Sequence, residues 1–229
     1  MSDPTPLRLV VFDVDGTLVD SQAHILAAMA RAFDGIGRPV PPRDEVLSIV
    51  GLSLAVAVAR LAPDLDAESQ AALVEGYKAG FADIRMSGAA DEMSPLYPGA
   101  LDALDGLLAR EDLLLGIATG KSRRGLDHLL AAHRLTGRFA TEQVADHHPS
   151  KPHPSMLLAA LAETGVEARD GVMIGDTSYD MEMGRAAGLR TIGVSWGYHP
   201  ARALLAAGAE IVIDGFDALD RALVQVWEG

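Results

Sequence analysis

The chain has 229 residues, 49% hydrophobic and 22% charged, the balance of a soluble globular protein with enough length for a full core and a small accessory unit. It has no cysteine, which excludes disulfides, thiol catalysis and thiolate metal sites and fits a cytoplasmic protein. A net charge of −13 offers no basic footprint for nucleic acid and no field to draw in an anion, so a phosphate site must be made positive locally, by a metal ion, a lysine or helix N-termini.

The N-terminal run MSDPTPLRLVVFDVDGT lacks a basic leader and is soon interrupted by Asp13 and Asp15, so no signal peptide is expected. No apolar stretch approaches the roughly 20 residues that span a bilayer. The first predicted strand is Leu7–Phe12. From Ser21 to about Leu96 the pattern predicts helices and no strand: Ala23–Phe33, Arg43–Val50, Ser53–Leu61 and Ala67–Ile84. We expect these to form a helical cap domain over 21–91, inserted into a core domain of residues 1–20 and 92–229. The Gly-, Ser- and Pro-rich stretch Arg85–Pro98 would be the return linker.

Alternation then sets in. Helix Pro98–Arg110, with Leu101, Leu104, Leu107 and Leu108 on one face, precedes strand Leu113–Ala118. Helix Arg123–Arg134 repeats Leu126, Leu129 and Leu130, and a weaker strand follows near Phe139–Val144. Helix Pro154–Glu163, strand Gly171–Ile174, helix Asp180–Ala187, strand Thr191–Val194, helix Ala201–Ala207 and strand Ile211–Ile213 complete the series. Short apolar runs bounded by Gly or Asp read as buried parallel strands. Strands alternating with helices predict an α/β fold around a parallel sheet.

The chemistry-bearing residues gather at the ends of those strands. The first runs into Val11-Phe12-Asp13-Val14-Asp15-Gly16-Thr17. Residues two apart in an extended chain point the same way, and ligands of open α/β sheets sit beyond the strands' carboxyl ends. Asp13 and Asp15 there can divide nucleophilic and proton-handling work or hold a hard cation; two loop aspartates capping a helix is the plainer alternative. Thr119-Gly120-Lys121 ends the second strand and suits a phosphate oxygen, or simply a helix cap. Lys151, in Ser150-Lys151-Pro152-His153-Pro154, can neutralise a phosphate as a point charge, or be solvated. Asp176 closes the run Val172–Asp176 and Asp180 lies about one helical turn on. That pair converging on Asp13 would build an oxygen-ligand magnesium site, or would cap a helix.

Each feature has an innocent explanation, but they share one order and one kind of position. In that order the chain resembles the haloacid dehalogenase superfamily, in its phosphoglycolate-phosphatase-like branch. Asp13–Thr17 matches the first family motif, Thr119 the second, Lys151 the third and Gly175–Asp180 the fourth. The resemblance covers nearly the whole chain.

It implies a Rossmann-like core with an inserted helical cap, and a Mg²⁺-dependent phosphatase acting on a small phosphorylated metabolite, 2-phosphoglycolate or a sugar phosphate. Asp13 would be the nucleophile and carry an aspartyl-phosphate. Asp15 would protonate the leaving oxygen and then activate water, and an acid at that position favours phosphate esters over dehalogenation. Thr119 and Gly120 would hold a phosphoryl oxygen, and Lys151 would offset the charge. Mg²⁺ would be held by Asp13, the backbone carbonyl of Asp15, Asp176 and Asp180, the last directly or through water. Gly51-Leu52-Ser53 resembles the cap loop that faces the site in this branch. Arg43, Arg60, Lys78 and Arg85 are candidate anchors for an anionic substrate, though helix-borne cations are mostly solvated. Lys121, Arg123 and Arg124 follow the second motif and could help hold the substrate, but surface exposure is the plainer reading. His147, His148 and His153 suit zinc or copper better than an all-oxygen site and read as polar surface. A sugar phosphomutase, an inorganic pyrophosphatase and a non-catalytic binding scaffold share the same motifs. Neither nucleic acid nor membrane is expected as a partner.

Overall fold

The computed structural model describes residues 6–86, the last two by backbone alone, and 94–228. The strands are β1 (Arg8–Phe12), β2 (Leu113–Thr119), β3 (Thr141–Val144), β4 (Gly171–Gly175), β5 (Arg190–Val194) and β6 (Ile211–Ile213). They form one six-stranded sheet in the order β3-β2-β1-β4-β5-β6, parallel throughout. Among the described residues, no helix is long and apolar enough to cross a membrane.

Strand β1 shows why the sequence takes this form. Leu9, Val10, Val11 and Phe12 are all fully buried, so no polar position interrupts the run. The pleat sends alternate residues to opposite faces. Val10 and Phe12 join Leu104, Leu126 and Leu223 on one side. Leu9 and Val11 join Met156, Leu157 and Met183 on the other. Each such side chain contributes roughly 1.5–3 kcal/mol by its burial. The covering helices on the first face are α5 (Ala100–Leu108), α6 (Arg123–Ala132) and α10 (Leu219–Glu228), and on the second α7 (Ser155–Thr164) and α8 (Ser178–Ala186). Helix α9 (Ala201–Ala207) packs on α8 beside β5.

Register decides where the site falls. Phe12 is aligned with Ile117 of β2 and with Ile174 of β4. The three central strands therefore end almost level, and the residues just past those positions share one rim. Chain order reverses across β1, the place where open sheets leave a crevice for ligands.

Between β1 and α5 come α1 (Gln22–Gly35), α2 (Arg43–Ser48), α3 (Leu54–Leu61) and α4 (Ala67–Met86). These helices have an apolar cluster of their own, built from Ile25, Met29, Phe33, Val46, Val58 and Leu73. The chain enters and leaves this unit side by side. Val19 bridges Leu96, Asp20 N–H donates to Pro95 O (2.8 Å) and Tyr97 N–H to Leu18 O (3.0 Å). Residues 87–93, which hold the expected boundary at 91/92 and part of the expected linker, lie outside the described residues.

Several details differ from the sequence reading. Of the four leucines expected on one face of α5, Leu104 and Leu107 are buried while Leu101 and Leu108 are 40% exposed, because only the inner part of that stripe meets the sheet. Strand β3 starts at Thr141, two residues past Phe139, which packs into the core as a loop residue. Helix α8 starts at Ser178 rather than Asp180. Helix α10 was not anticipated; it buries Leu219, Ala222, Leu223 and Val226.

Candidate active site

The rim is built first by a turn. After Phe12, the N–H groups of Leu18 and Val19 both donate to Val14 O (2.9 and 3.0 Å), and Gly16 N–H donates to Val19 O (2.9 Å). Gly16 has φ +86°, and a Cβ there would lie 2.2 Å from Asp176 Oδ2. Only glycine lets the first strand's turn come so close to the carboxylate past β4.

Asp13 is 1% exposed, and Thr119, Lys151, Asp176 and Asp180 are equally buried. Lys151 Nζ donates to Asp13 Oδ1 (2.7 Å) and to Asp180 Oδ1 (2.6 Å). The other oxygen of Asp180 accepts from Thr177 N–H (3.1 Å) and from the Thr177 hydroxyl (2.6 Å), closing a capping box at the start of α8. Asp180 thus caps its helix and pairs with the lysine at once. Asp176 Oδ1 accepts from Thr17 Oγ1 (2.9 Å) and Oδ2 from Tyr198 N–H (2.9 Å).

Three buried carboxylates face a single buried ammonium, and the charges feel it. Burial pushes the Asp13 carboxyl up to about 7, against the pull of Lys151 and with repulsion from Asp180 and Asp15 adding to it. Burial and the repulsion of Asp13 and Asp180 likewise raise Asp176 well above the usual carboxylate range. Burial alone would lower Lys151, but Asp13 and Asp180 outweigh it and hold the ammonium above the ordinary lysine range.

This surplus of negative charge has a geometry that suits a cation. One oxygen each from Asp13, Asp176 and Asp180 lie within 4.8 Å of one another. Asp13 Oδ2 is buried without a hydrogen-bond partner, a costly state unless something positive meets it. The donors are all oxygens, the set preferred by Mg²⁺. The residues present fit that ion.

Asp15 stands apart from this trio. Its Oδ1 is ion-paired with Lys121 Nζ (2.8 Å) and accepts from Ser21 Oγ, which leaves any metal role expected of Asp15 to its backbone carbonyl. Lys121 corrects the sequence reading. Expected on the surface, its side chain is only 10% exposed. Arg123, by contrast, is a structural cation, ion-paired with Asp127 and hydrogen-bonded to Glu142.

A cavity of about 510 Å³ opens from this rim towards the helical unit, with Asp13, Asp15 and Thr119 at one end and Leu52, Tyr77 and Phe81 among its other walls. Gly51 lines it, and the loop it belongs to rests on the rim. A Cβ on Gly120 would meet Leu52 O at 2.7 Å and Gly51 O at 2.8 Å, and Ser53 N–H donates to Ser150 Oγ (2.9 Å). Of the cations considered as anchors, Lys78 borders the cavity. Arg43 bonds to Asp44 and Gln22 instead, Arg60 lies over the Tyr179 ring, and the side chain of Arg85 lies outside the described residues. Arg124 also borders the cavity. His148 bonds to Ser155 and Gln143.

The turn Ser195–His199 was missed by the sequence reading. Besides the Tyr198 N–H on Asp176, Trp196 Nε1 donates to Thr17 O (3.1 Å), and Ser178 N–H donates to His199 Nδ1 (3.1 Å). The Tyr198 hydroxyl and Ser21 Oγ share a hydrogen bond (3.1 Å). A signal existed: the chain has two tryptophans and four tyrosines, and one of each falls in this short turn past β5.

Comparison with known proteins finds relatives over nearly the whole chain. The family described as haloacid dehalogenase-like hydrolase matches residues 10–194. A protein named "Probable phosphatase IndB" from Dickeya dadantii is 35% identical over 211 residues, covering 91% of this chain and 90% of its own length. A phosphoglycolate phosphatase from Pseudomonas putida is 33% identical over 215 residues, 93% of this chain and 78% of its own. The crystal structure of a hydrolase from Pseudomonas syringae superposes with a TM-score of 0.82 at 25% identity, covering 95% of this chain and 98% of that one.

Proposed function

The chain belongs to the haloacid dehalogenase-like hydrolase family, and from that premise we propose that it is a Mg²⁺-dependent phosphatase of a small phosphorylated metabolite, working through an aspartyl-phosphate on Asp13. The observation that carries the reading is Asp13 itself. It borders the cavity, is tied through Oδ1 to Lys151 and leaves Oδ2 unpartnered beside two further carboxylates.

In the first half-reaction a carboxylate oxygen of Asp13 attacks phosphorus. The bond from phosphorus to the leaving oxygen breaks, and that oxygen takes a proton from Asp15. In the second, the Asp15 carboxylate takes a proton from water, the water oxygen bonds phosphorus and the bond to Asp13 breaks. Phosphate leaves and Asp15 is again protonated, so the cycle closes. Positioning and charge stabilisation are most of what phosphoryl transfer asks of a protein. Lys151 supplies a fixed positive charge at the nucleophile, and Thr119 and Gly120 border the space where a phosphoryl oxygen would sit. Mg²⁺, held by Asp13, Asp176, Asp180 and the Asp15 carbonyl, would neutralise charge on the phosphoryl oxygens.

The helical unit of residues 21–91 acts in this reading as a cap. Its loop at Gly51–Ser53 lies on the rim, and its side chains Leu52, Tyr77 and Phe81 line the space for the leaving group. Substrate choice then rests on them, and closure excludes water.

The test is phosphate release from a panel of phosphorylated metabolites with Mg²⁺, with pyrophosphate and sugar phosphates included and Asp13→Asn run in parallel. Turnover of one ester by the parent and none by the variant is the expected result. Equal release by both proteins would overturn the assignment. Transfer between sugar phosphates with little net phosphate release would replace it with a mutase.

A further inference from the structure

Two lysines reach the rim, and each serves a different carboxylate of the first strand's turn. Lys151 takes Asp13; Lys121 takes Asp15. We propose that Lys121 is a positioning residue that fixes the Asp15 carboxyl group for proton transfer, and that it ties this group to the helical unit. The proposal rests on the phosphatase reading above.

The geometry is specific. Lys121 Nζ lies 2.8 Å from Asp15 Oδ1, with side-chain exposures of 10% and 13%. Ser21 Oγ donates to the same oxygen, and the Tyr198 hydroxyl backs Ser21 at 3.1 Å. Among the described residues, Asp15 Oδ2 receives no hydrogen bond. One oxygen is therefore anchored from two sides while the other carries no hydrogen bond, and Asp15 and Lys121 both border the cavity. A carboxyl group on a turn swings freely unless held, and proton transfer needs heavy atoms within about 3 Å along a defined line. A misplacement of ~1 Å costs about a hundredfold in rate.

The anchor itself is held by the helical unit. Lys121 Nζ sits 5.2 Å from the centroid of the Phe81 ring on α4, within the range where a cation is attracted to the ring face. Phe81 is stacked on His24 of α1 at 3.5 Å. The lysine thus bridges the proton-handling group and the two helices that pack most heavily on each other in the unit. Docking of the unit and placement of Asp15 become one event.

Two readings of Lys121 make opposite predictions. A lysine that binds substrate directly should act on KM, independently of Asp15. A lysine that works through Asp15 should act on kcat for every ester through the water step, on the first half-reaction only where the leaving group needs a proton, and should lose its effect once Asp15 is gone. The experiment compares parent, Lys121→Met, Lys121→Arg, Asp15→Asn and the double variant Asp15→Asn/Lys121→Met. Each is assayed with Mg²⁺ on p-nitrophenyl phosphate, an aryl ester whose leaving group departs without a proton, and on an alkyl phosphate accepted by the parent. Circular dichroism and thermal melts check folding, and Lys121→Gln replaces Lys121→Met if the latter is unfolded.

We expect Lys121→Met to lower kcat by about 30- to 100-fold for both esters, since hydrolysis of the aspartyl-phosphate runs through Asp15 in each case, to leave the first-turnover burst of p-nitrophenol from the aryl ester, followed by stopped flow, within about fivefold of the parent's rate, and to leave KM for the alkyl ester within about threefold. Lys121→Arg should recover part of the loss, and the double variant should match Asp15→Asn within about twofold. A rise in KM at constant kcat, or losses that multiply in the double variant, would overturn the proposal. Full activity of Asp15→Asn itself would instead remove the catalytic reading on which the proposal stands.

Discussion

The sharpest consequence of the buried charge cluster concerns Lys151→Met. The substitution keeps much of the side chain's length and apolar stem but removes the ammonium that bonds Asp13 at 2.7 Å and Asp180 at 2.6 Å. All three side chains are at most 1% exposed, so solvent screening does not discount the loss. Two charge-assisted hydrogen bonds, at about 1.5–3 kcal/mol each, give roughly 3–6 kcal/mol. Removing one partner of a buried ion pair costs about 3–5 kcal/mol in other proteins, and we expect that range at pH 8.5 without metal. The loss should shrink as pH falls, for a reason whose sign is fixed. Asp13 is held at about 7 against about 3.9 for an unfolded aspartate, so the folded state binds the extra proton between those values. Stability therefore declines with rising pH across that window. Without the lysine, whose charge pulls Asp13 down, Asp13 titrates higher still, so acid relieves more of the repulsion in the variant than in the parent. Urea unfolding of both proteins at pH 6 and pH 8.5 in EDTA measures the difference. A loss under about 1 kcal/mol at pH 8.5, or one that grows towards pH 6, would refute the electrostatic account of this cluster.

Other expectations follow from the same geometry. Asp13→Asn should abolish phosphate release while leaving metal-free stability at pH 8 within about 1 kcal/mol of the parent or above it, since one of three crowded charges is gone; chemical denaturation tests this. Mg²⁺ should raise the melting temperature, by about 2.7 kcal/mol of stability at a hundredfold excess over Kd, and EDTA should reverse both this gain and the activity. Protons compete for Asp13 and Asp176, so Mg²⁺ affinity measured by calorimetry should weaken as pH drops below 7; constant affinity from pH 8 to 5.5 would place the ion elsewhere. Gly120→Ala puts a methyl group 2.7 Å from Leu52 O, which should force the Gly51–Ser53 loop off the rim, cost roughly 1–3 kcal/mol and lower kcat/KM; an unchanged enzyme would mean the loop shifts freely.

Much of this site is legible in the chain because its parts are local. Asp13, Thr119 and Asp176 each end an apolar run, and strand periodicity alone brings them to one rim once the sheet is parallel and its central strands end level. Lys121 resists such reading. Its partner Asp15 is on another strand's turn, and nothing near residue 121 tells a buried lysine from a solvated one. The turn Ser195–His199 resists for a different reason: Tyr198 reaches Asp176 through its backbone N–H, a group every residue but proline carries. Helix α10 lies past the last strand, where alternation no longer points to it, though Leu219, Ala222, Leu223 and Val226 keep helical spacing. Leu101 and Leu108 mark the opposite error, since periodicity shows which face is apolar but not how much of it the sheet covers.

The paired crossing at Val19–Leu96 and Asp20–Pro95 makes the helical unit a plug with its two pins side by side. Chain ends that meet across a pair of hydrogen bonds impose no span on what is placed between them, because the sheet sees only their separation. A unit of another size or shape could be grafted at this socket without altering a strand, and the turn that carries Asp13 and Asp15 would not need to know. The same bridge has a second side, since Val19 is also paired with Asp15. The socket and the proton-handling group thus share one short run of backbone, and whatever is plugged in hangs from the residues next to the chemistry.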